Sequence, residues 1–122
     1  MRIIRQDPMA AVPDRSAIFV GNVLRQNIVS DTDAALLRVT SVTFQNGARN
    51  KVHHHLVDQV LVVTHGQGLI ATDSEVHEVG PGDIVLIPAG ERHWHGAKPG
   101  QDFTHLSILT PGATVIDEEG KG

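Results

Sequence analysis

Apolar residues along this chain come in short runs, and several alternate with polar ones. Phe103-Thr104-His105-Leu106-Ser107-Ile108-Leu109 and Val76-His77-Glu78-Val79 alternate with the period of two that a half-buried strand needs. Gln59 to Thr64 and Ile84 to Ile87 are continuous apolar runs, as in strands buried on both faces. No segment sustains a 3.6-residue apolar period. Between the runs stand turn formers: Gln45-Asn46-Gly47, His65-Gly66-Gln67-Gly68, Asp73-Ser74-Glu75, Gly80-Pro81-Gly82-Asp83 and Pro88-Ala89-Gly90-Glu91. Strands are expected at 17–23, 35–44, 59–64, 69–72, 76–79, 84–87, 93–96 and 103–109. Gln45-Asn46-Gly47 is expected to end the second of them. Short strands separated by regular turns describe an all-β sandwich or barrel. Residues 1–122 read as one domain with its core at about 13–111. The stretches 1–12 and 112–122 are expected to be extended or frayed.

Composition narrows the chemistry. With 122 residues the chain fits one domain that can bury a core without staples. It has no cysteine, so a metal here must take nitrogen and oxygen donors. The formal charge is −4, with no basic run, which argues against nucleic acid as a partner. No stretch approaches the roughly 18 apolar residues of a membrane span. The N-terminus has no apolar segment of the kind a secretory signal carries. A cytoplasmic protein without membrane partners is expected. The 8 histidines all lie between positions 53 and 105, and histidine is a common metal ligand and proton carrier.

Two spacings organise those histidines. Gly47 to Gly66 reads G-x5-H-x-H-x3-Q-x6-G, with His53, His55 and Gln59 at its polar positions. Gly82 to His93 reads G-x5-P-x-G-x2-H. His53 and His55 are two apart, so on a strand they share a face, and His54 points away. Gln59 lies across a short turn, and Pro88 and Gly90 supply a bend that delivers His93. Three imidazoles and one side-chain oxygen suit a first-row divalent ion with positions left open. His95 follows His93 by two and faces the same interior, either as a hydrogen-bonded core residue or as part of a cavity. His105 has Phe103 and Ser107 on its face. It reads either as a surface residue of an edge strand or as a pocket residue. His65 and His77 are expected to face solvent, and Trp94 to fill a core or an interface.

Together the two spacings resemble the paired motifs of the cupin superfamily, G-x5-H-x-H-x3,4-E-x6-G and G-x5-P-x-G-x2-H-x3-N. The resemblance implies a small cupin-type double-stranded β-helix, a jelly-roll barrel, holding a divalent metal on His53, His55, Gln59 and His93. Two positions depart from the pattern. Ala97 replaces the final asparagine, and Gln59 replaces the glutamate. A neutral fourth ligand would leave the ion its full charge, favouring anions and stronger Lewis acidity at the expense of metal affinity.

Within that superfamily the chain is most similar to the small bacterial manganese-dependent hydroxynitrile lyases. The likeness rests on Phe19-Val20-Gly21-Asn22-Val23, Ser41-Val42-Thr43-Phe44, Gly47-Ala48-Arg49, Gln59, His93-Trp94-His95-Gly96-Ala97 and Thr104-His105-Leu106. It implies manganese as the ion, with iron, zinc, nickel or cobalt as alternatives. It implies His105, or else His95, as the proton acceptor, and Thr40, Val42 and Leu109 as walls of a substrate pocket. The segment His54 to Asp58 departs from the group. Three functions follow as expectations: a lyase acting on cyanohydrins, an iron- or manganese-dependent dioxygenase, or a small-molecule-binding module without turnover. A homodimer with a small-molecule substrate is expected.

Overall fold

The computed structural model describes residues 1–118. Its elements are a 3₁₀ turn at Pro8–Ala10 and eleven strands: β1 (Val12–Pro13), β2 (Phe19–Val29), β3 (Arg38–Asn50), β4 (His53–His55), β5 (Gln59–Gly66), β6 (Gly68–Ala71), β7 (Val76–Val79), β8 (Ile84–Ile87), β9 (Trp94–Ala97), β10 (Phe103–Leu109) and β11 (Thr114–Ile116). No α-helix occurs among the described residues, and no helix is long and apolar enough to cross a membrane.

One sheet runs β7-β6-β9-β3-β10-β5-β8, with β2 on β3 and β1 on β2. It curls because β3 is long and changes partner. Arg38 to Phe44 pair with β10, whereas Arg49 pairs with Gly96 of β9. The change happens at Asn46 and Gly47, whose φ angles are 48° and 76°. The expected strand end at Gln45-Asn46-Gly47 is therefore a kink within a continuing strand. Its amides are taken by the Asp102 carboxylate, 2.9 Å from Asn46 N, and the Gln101 carbonyl, 3.0 Å from Gly47 N. The left-handed backbone that reads locally as a turn redirects a strand here because long-range partners satisfy it. At Gly96 any side chain would press to 2.6 Å of the Ala48 carbonyl oxygen, so only glycine allows β9 to close on β3.

The inward face of β10 reads Phe103, His105, Ser107, Leu109. Phe103 and Phe44 are fully buried, stacked at 6.2 Å between ring centres, and join Leu61, Val63, Val23 and Ile87 in the apolar core. That core closes one end of the barrel. Further along the same strand the lining turns polar. β10 is a central strand between β3 and β5, so His105 is 1% exposed and the edge-strand reading of it fails.

The tail also differs from expectation. Thr114–Ile116 pairs antiparallel with His53–His55. Asp117 N and Glu118 N both donate to the Val52 carbonyl, and the Glu118 carboxylate meets the Arg49 guanidinium at 3.0 and 3.1 Å. Strand pairing with β4 holds this segment, a contact distant in sequence that local patterning does not contain. The rest of the expected frayed tail, 119–122, lies outside the described residues. At the other end Met1, Ile3 and Met9 are exposed, and Val12–Pro13 pairs with β2.

Candidate metal centre

β4 carries His53 and His55 on one face. The main chains of His53 and His93 exchange both N–H···O bonds, each 2.9 Å, which sets the two residues side by side with ring centres 4.3 Å apart. Gly90, at φ 85°, donates its amide to the His55 carbonyl at 2.8 Å and so ties the bend before His93 to the same strand. One ring nitrogen from each of His53, His55 and His93 lies within 4.8 Å of the other two. Gln59 opens β5 and is 4% exposed.

The outer nitrogens are all engaged. His53 Nδ1 donates to the Lys51 carbonyl at 2.7 Å and His93 Nδ1 to the Glu91 carbonyl at 2.8 Å. His55 Nδ1 sits 2.9 Å from Thr114 Oγ1 of β11. The two carbonyl bonds place the protons of His53 and His93 on Nδ1 and leave their Nε2 atoms bare, as outer hydrogen-bond partners do in metal sites. Gln59 donates Nε2 to Ser107 Oγ at 2.8 Å, which leaves Oε1. The buried side-chain atoms without any hydrogen-bond partner, among the described residues, are His55 Nε2, His93 Nε2, Gln59 Oε1 and His105 Nδ1. Orphaned buried acceptors are costly. Three of these four belong to the residues singled out as ligands, and a cation would satisfy all three at once. The donor set fits a divalent ion.

Burial, then the charge of the His93 ring, pushes His53 and His55 down to about 4, and burial lowers His93. Desolvation disfavours imidazolium, so all three rings are neutral at neutral pH, the form that ligates.

Beside the three rings lies a cavity of about 460 Å³. Thr40, Val42, Leu109, His95 and His105 line it together with His53, His55 and Gln59. His95 and His105 are buried and face each other, Nδ1 to Nε2, at 3.0 Å. Burial, and next the His105 imidazole, holds His95 well below the usual histidine range; burial pushes His105 down to about 4. His54 points away from this cluster, to Asp117 at 2.8 Å, and His65 and His77 are exposed. Trp94 is half-buried under the Arg49 guanidinium, 5.9 Å from its ring centre.

Sequence reasoning missed Asn50, Ser107 and Thr114 as partners of the site. Ser107 shared the parity of His105 and so was within reach of the period-two argument. Thr114 lies in Thr114-Val115-Ile116, a β-prone triplet whose signal was outweighed by the polar tail after it. Asn50 had no local signal.

Comparison with known proteins agrees with this architecture. A model of the cupin domain matches residues 40–113. The (R)-mandelonitrile lyase of Granulicella tundricola is 39% identical over 109 residues, covering 88% of this chain and 83% of that protein. An acireductone dioxygenase of Gluconobacter oxydans is 36% identical over 62 residues, 48% of this chain and 33% of that protein. Among solved structures, a cupin-like protein from Thermotoga maritima superposes with a TM-score of 0.82 at 32% identity, covering 89% of this chain and 86% of the other. With His53, His55 and His93 gathered where β4 meets the bend before β9, the chain belongs to the cupin family, as a small cupin that resembles the hydroxynitrile lyase group.

Proposed function

We propose that this protein is a metal-dependent lyase that breaks or makes a carbon–carbon bond at a carbon bearing a hydroxyl or carbonyl oxygen, with cyanohydrin cleavage as the reference reaction. The observation that carries this reading is the neutral His95–His105 pair lining the same cavity as His53, His55 and Gln59. His53, His55, Gln59 and His93 would hold a divalent ion, manganese by the family likeness, with iron, zinc, nickel or cobalt compatible with the same donors. Such an ion supplies Lewis acidity toward a substrate oxygen.

The chain's own residues do the rest. His105 takes the hydroxyl proton at Nε2 once the substrate hydroxyl displaces the hydrogen bond that this nitrogen accepts from His95 Nδ1 at 3.0 Å. As that proton leaves, the carbon–oxygen bond becomes a carbonyl, and the carbon–carbon bond breaks with its electron pair departing on cyanide. His105 then returns the proton to cyanide, giving hydrogen cyanide and an aldehyde or ketone. Phe44 and Phe103 close the inner end against water, while Thr40, Val42 and Leu109 shape the wall that selects the substrate. The test is release of benzaldehyde from mandelonitrile by metal-defined protein. His105→Ala should abolish release while keeping the metal. Full activity in that variant would overturn the assignment.

A second reading, an oxygen-activating enzyme, draws support from the likeness to an acireductone dioxygenase. Gln59 weighs against it, because oxygen activation gains from an anionic ligand. Oxygen uptake with iron- or manganese-loaded protein separates the two. Absence of both activities, with small molecules still bound, would favour a binding module. A cytoplasmic homodimer using the exposed Ile3, Met9 and Val12 of the N-terminal segment completes the proposal, and light scattering tests the assembly.

A further inference from the structure

The cavity has two arginines and no carboxylate in its wall. Arg38 and Arg25 line it, and neither aspartate nor glutamate does among the described residues. This local balance is opposite in sign to the formal charge of −4 on the chain.

Strand register explains why both guanidinium groups are there. Arg38 has the parity of Thr40, Val42 and Phe44 on β3, the inward face. It lies opposite Leu109, which in turn lies opposite Gln59. Two strand spacings put the Arg38 and Gln59 Cα atoms roughly 10 Å apart. Arg25 lies opposite Val42, which lies opposite His105. The Arg38 guanidinium is fixed by its own surroundings. Its Nη1 donates to the Ala34 carbonyl at 2.7 Å and the Leu37 carbonyl at 2.9 Å. Neither Nε nor Nη2 has a hydrogen bond, and no carboxylate pairs with Arg38, among the described residues. Arg25, by contrast, meets Asp14 at 3.4 Å and Asn27 at 3.0 Å. A half-buried guanidinium held by backbone carbonyls, with the N–H donors of both Nε and Nη2 unspent, is prepared for a planar anion that accepts two parallel bonds.

Resting on the reading of this cavity as the reaction site, we infer that it takes a small carboxylic acid, with the carboxylate on Arg38 and a hydroxyl or carbonyl end at the histidines. The substrates of the proposed lyase are then hydroxy or oxo acids in preference to neutral compounds.

The test compares 4-hydroxybutanoate with 4-hydroxybutanamide, which differ in charge but hardly in shape. Binding is measured by calorimetry on the full chain, both metal-free and zinc-loaded. The acid should bind about tenfold or more tightly than the amide, as charge-assisted pairing predicts. Arg38→Gln should remove that preference while metal content stays unchanged, and Arg38→Lys should keep part of it. Equal affinity for acid and amide in the unaltered protein overturns the inference without recourse to any variant. An undiminished preference in folded Arg38→Gln overturns it as well. Protein that takes up no metal yet prefers the acid through Arg38 would sink the metal reading and leave this one standing. Metal uptake without acid preference would do the reverse.

Discussion

Asn50 holds His95 by both its main chain and its ring. Asn50 Oδ1 accepts the His95 main-chain N–H at 2.8 Å, and Asn50 Nδ2 stands 3.1 Å from His95 Nε2. The first bond decides the second. A backbone N–H can only donate, so the amide oxygen must face it, and the amide nitrogen must face the ring. The ring nitrogen nearest it is then bare. The His95 proton sits on Nδ1 and is donated to His105 Nε2, 3.0 Å away. One asparagine therefore sets the tautomer of both buried imidazoles.

Asn50→Asp reverses this order, because a carboxylate oxygen facing His95 Nε2 demands a proton there. Long-range proton–nitrogen spectra of labelled histidine should show His95 protonated at Nε2 in the variant and at Nδ1 in the parent. Asn50→Ala should cost about 1–3 kcal/mol of stability from the unsatisfied His95 amide. A His95 ring that keeps its Nδ1 proton in Asn50→Asp would contradict the relay.

Removing a ligand removes the ion. His53→Ala and His93→Ala should lose stoichiometric metal and with it the rise in melting temperature that binding to the folded state confers. His95→Ala should retain the metal, since its ring faces Asn50 and His105. Elemental analysis decides. Near-full occupancy in both ligand variants would overturn the centre.

The fourth position controls charge. Gln59→Glu should bind the metal more tightly and anions more weakly, because the added carboxylate cancels one unit of charge. Azide titration of cobalt-loaded protein reads this directly. Unchanged azide affinity would mean that Gln59 is not a ligand.

The C-terminal strand should matter to the metal through one hydroxyl. Thr114→Val leaves the β4–β11 pairing intact but takes the partner from His55 Nδ1. Loss of such an orienting bond typically weakens a metal site about tenfold or more. Competition with a chelator measures it. Unaltered affinity would show that His55 needs no orienting partner.

Acid should destabilise the metal-free protein in a defined window. His53, His55 and His105 are pushed from 6.5 to about 4 in the folded chain. Between those values the unfolded chain binds more protons, so stability falls as pH falls. Stability should be highest above pH 6.5 and decline as pH drops through about 4. Urea midpoints across this range test it, and a level profile from pH 7 to 4.5 would contradict the neutral buried imidazoles.

What the sequence determined is whatever depends on residue type at short spacing. Period two placed His53 and His55 on one face, Phe103 and His105 on another, and the turn formers marked most strand ends. The donor set of the centre was legible because His53, His55 and Gln59 lie within seven residues, and the Pro88–Gly90 bend stands just before His93. Three features were decided only by tertiary structure. Asn46 and Gly47 look like a hairpin turn, yet Gln101 and Asp102 satisfy their amides and turn them into a kink in β3. Thr114–Ile116 looks like tail, yet pairing with β4 makes it the backing of the ligand strand. Asn50 carries no local pattern, and its role exists only because β9 brings His95 against the end of β3. In each case the stabilising partner is far away in sequence, and a backbone group takes the state that its hydrogen-bond partners allow, wherever along the chain they come from.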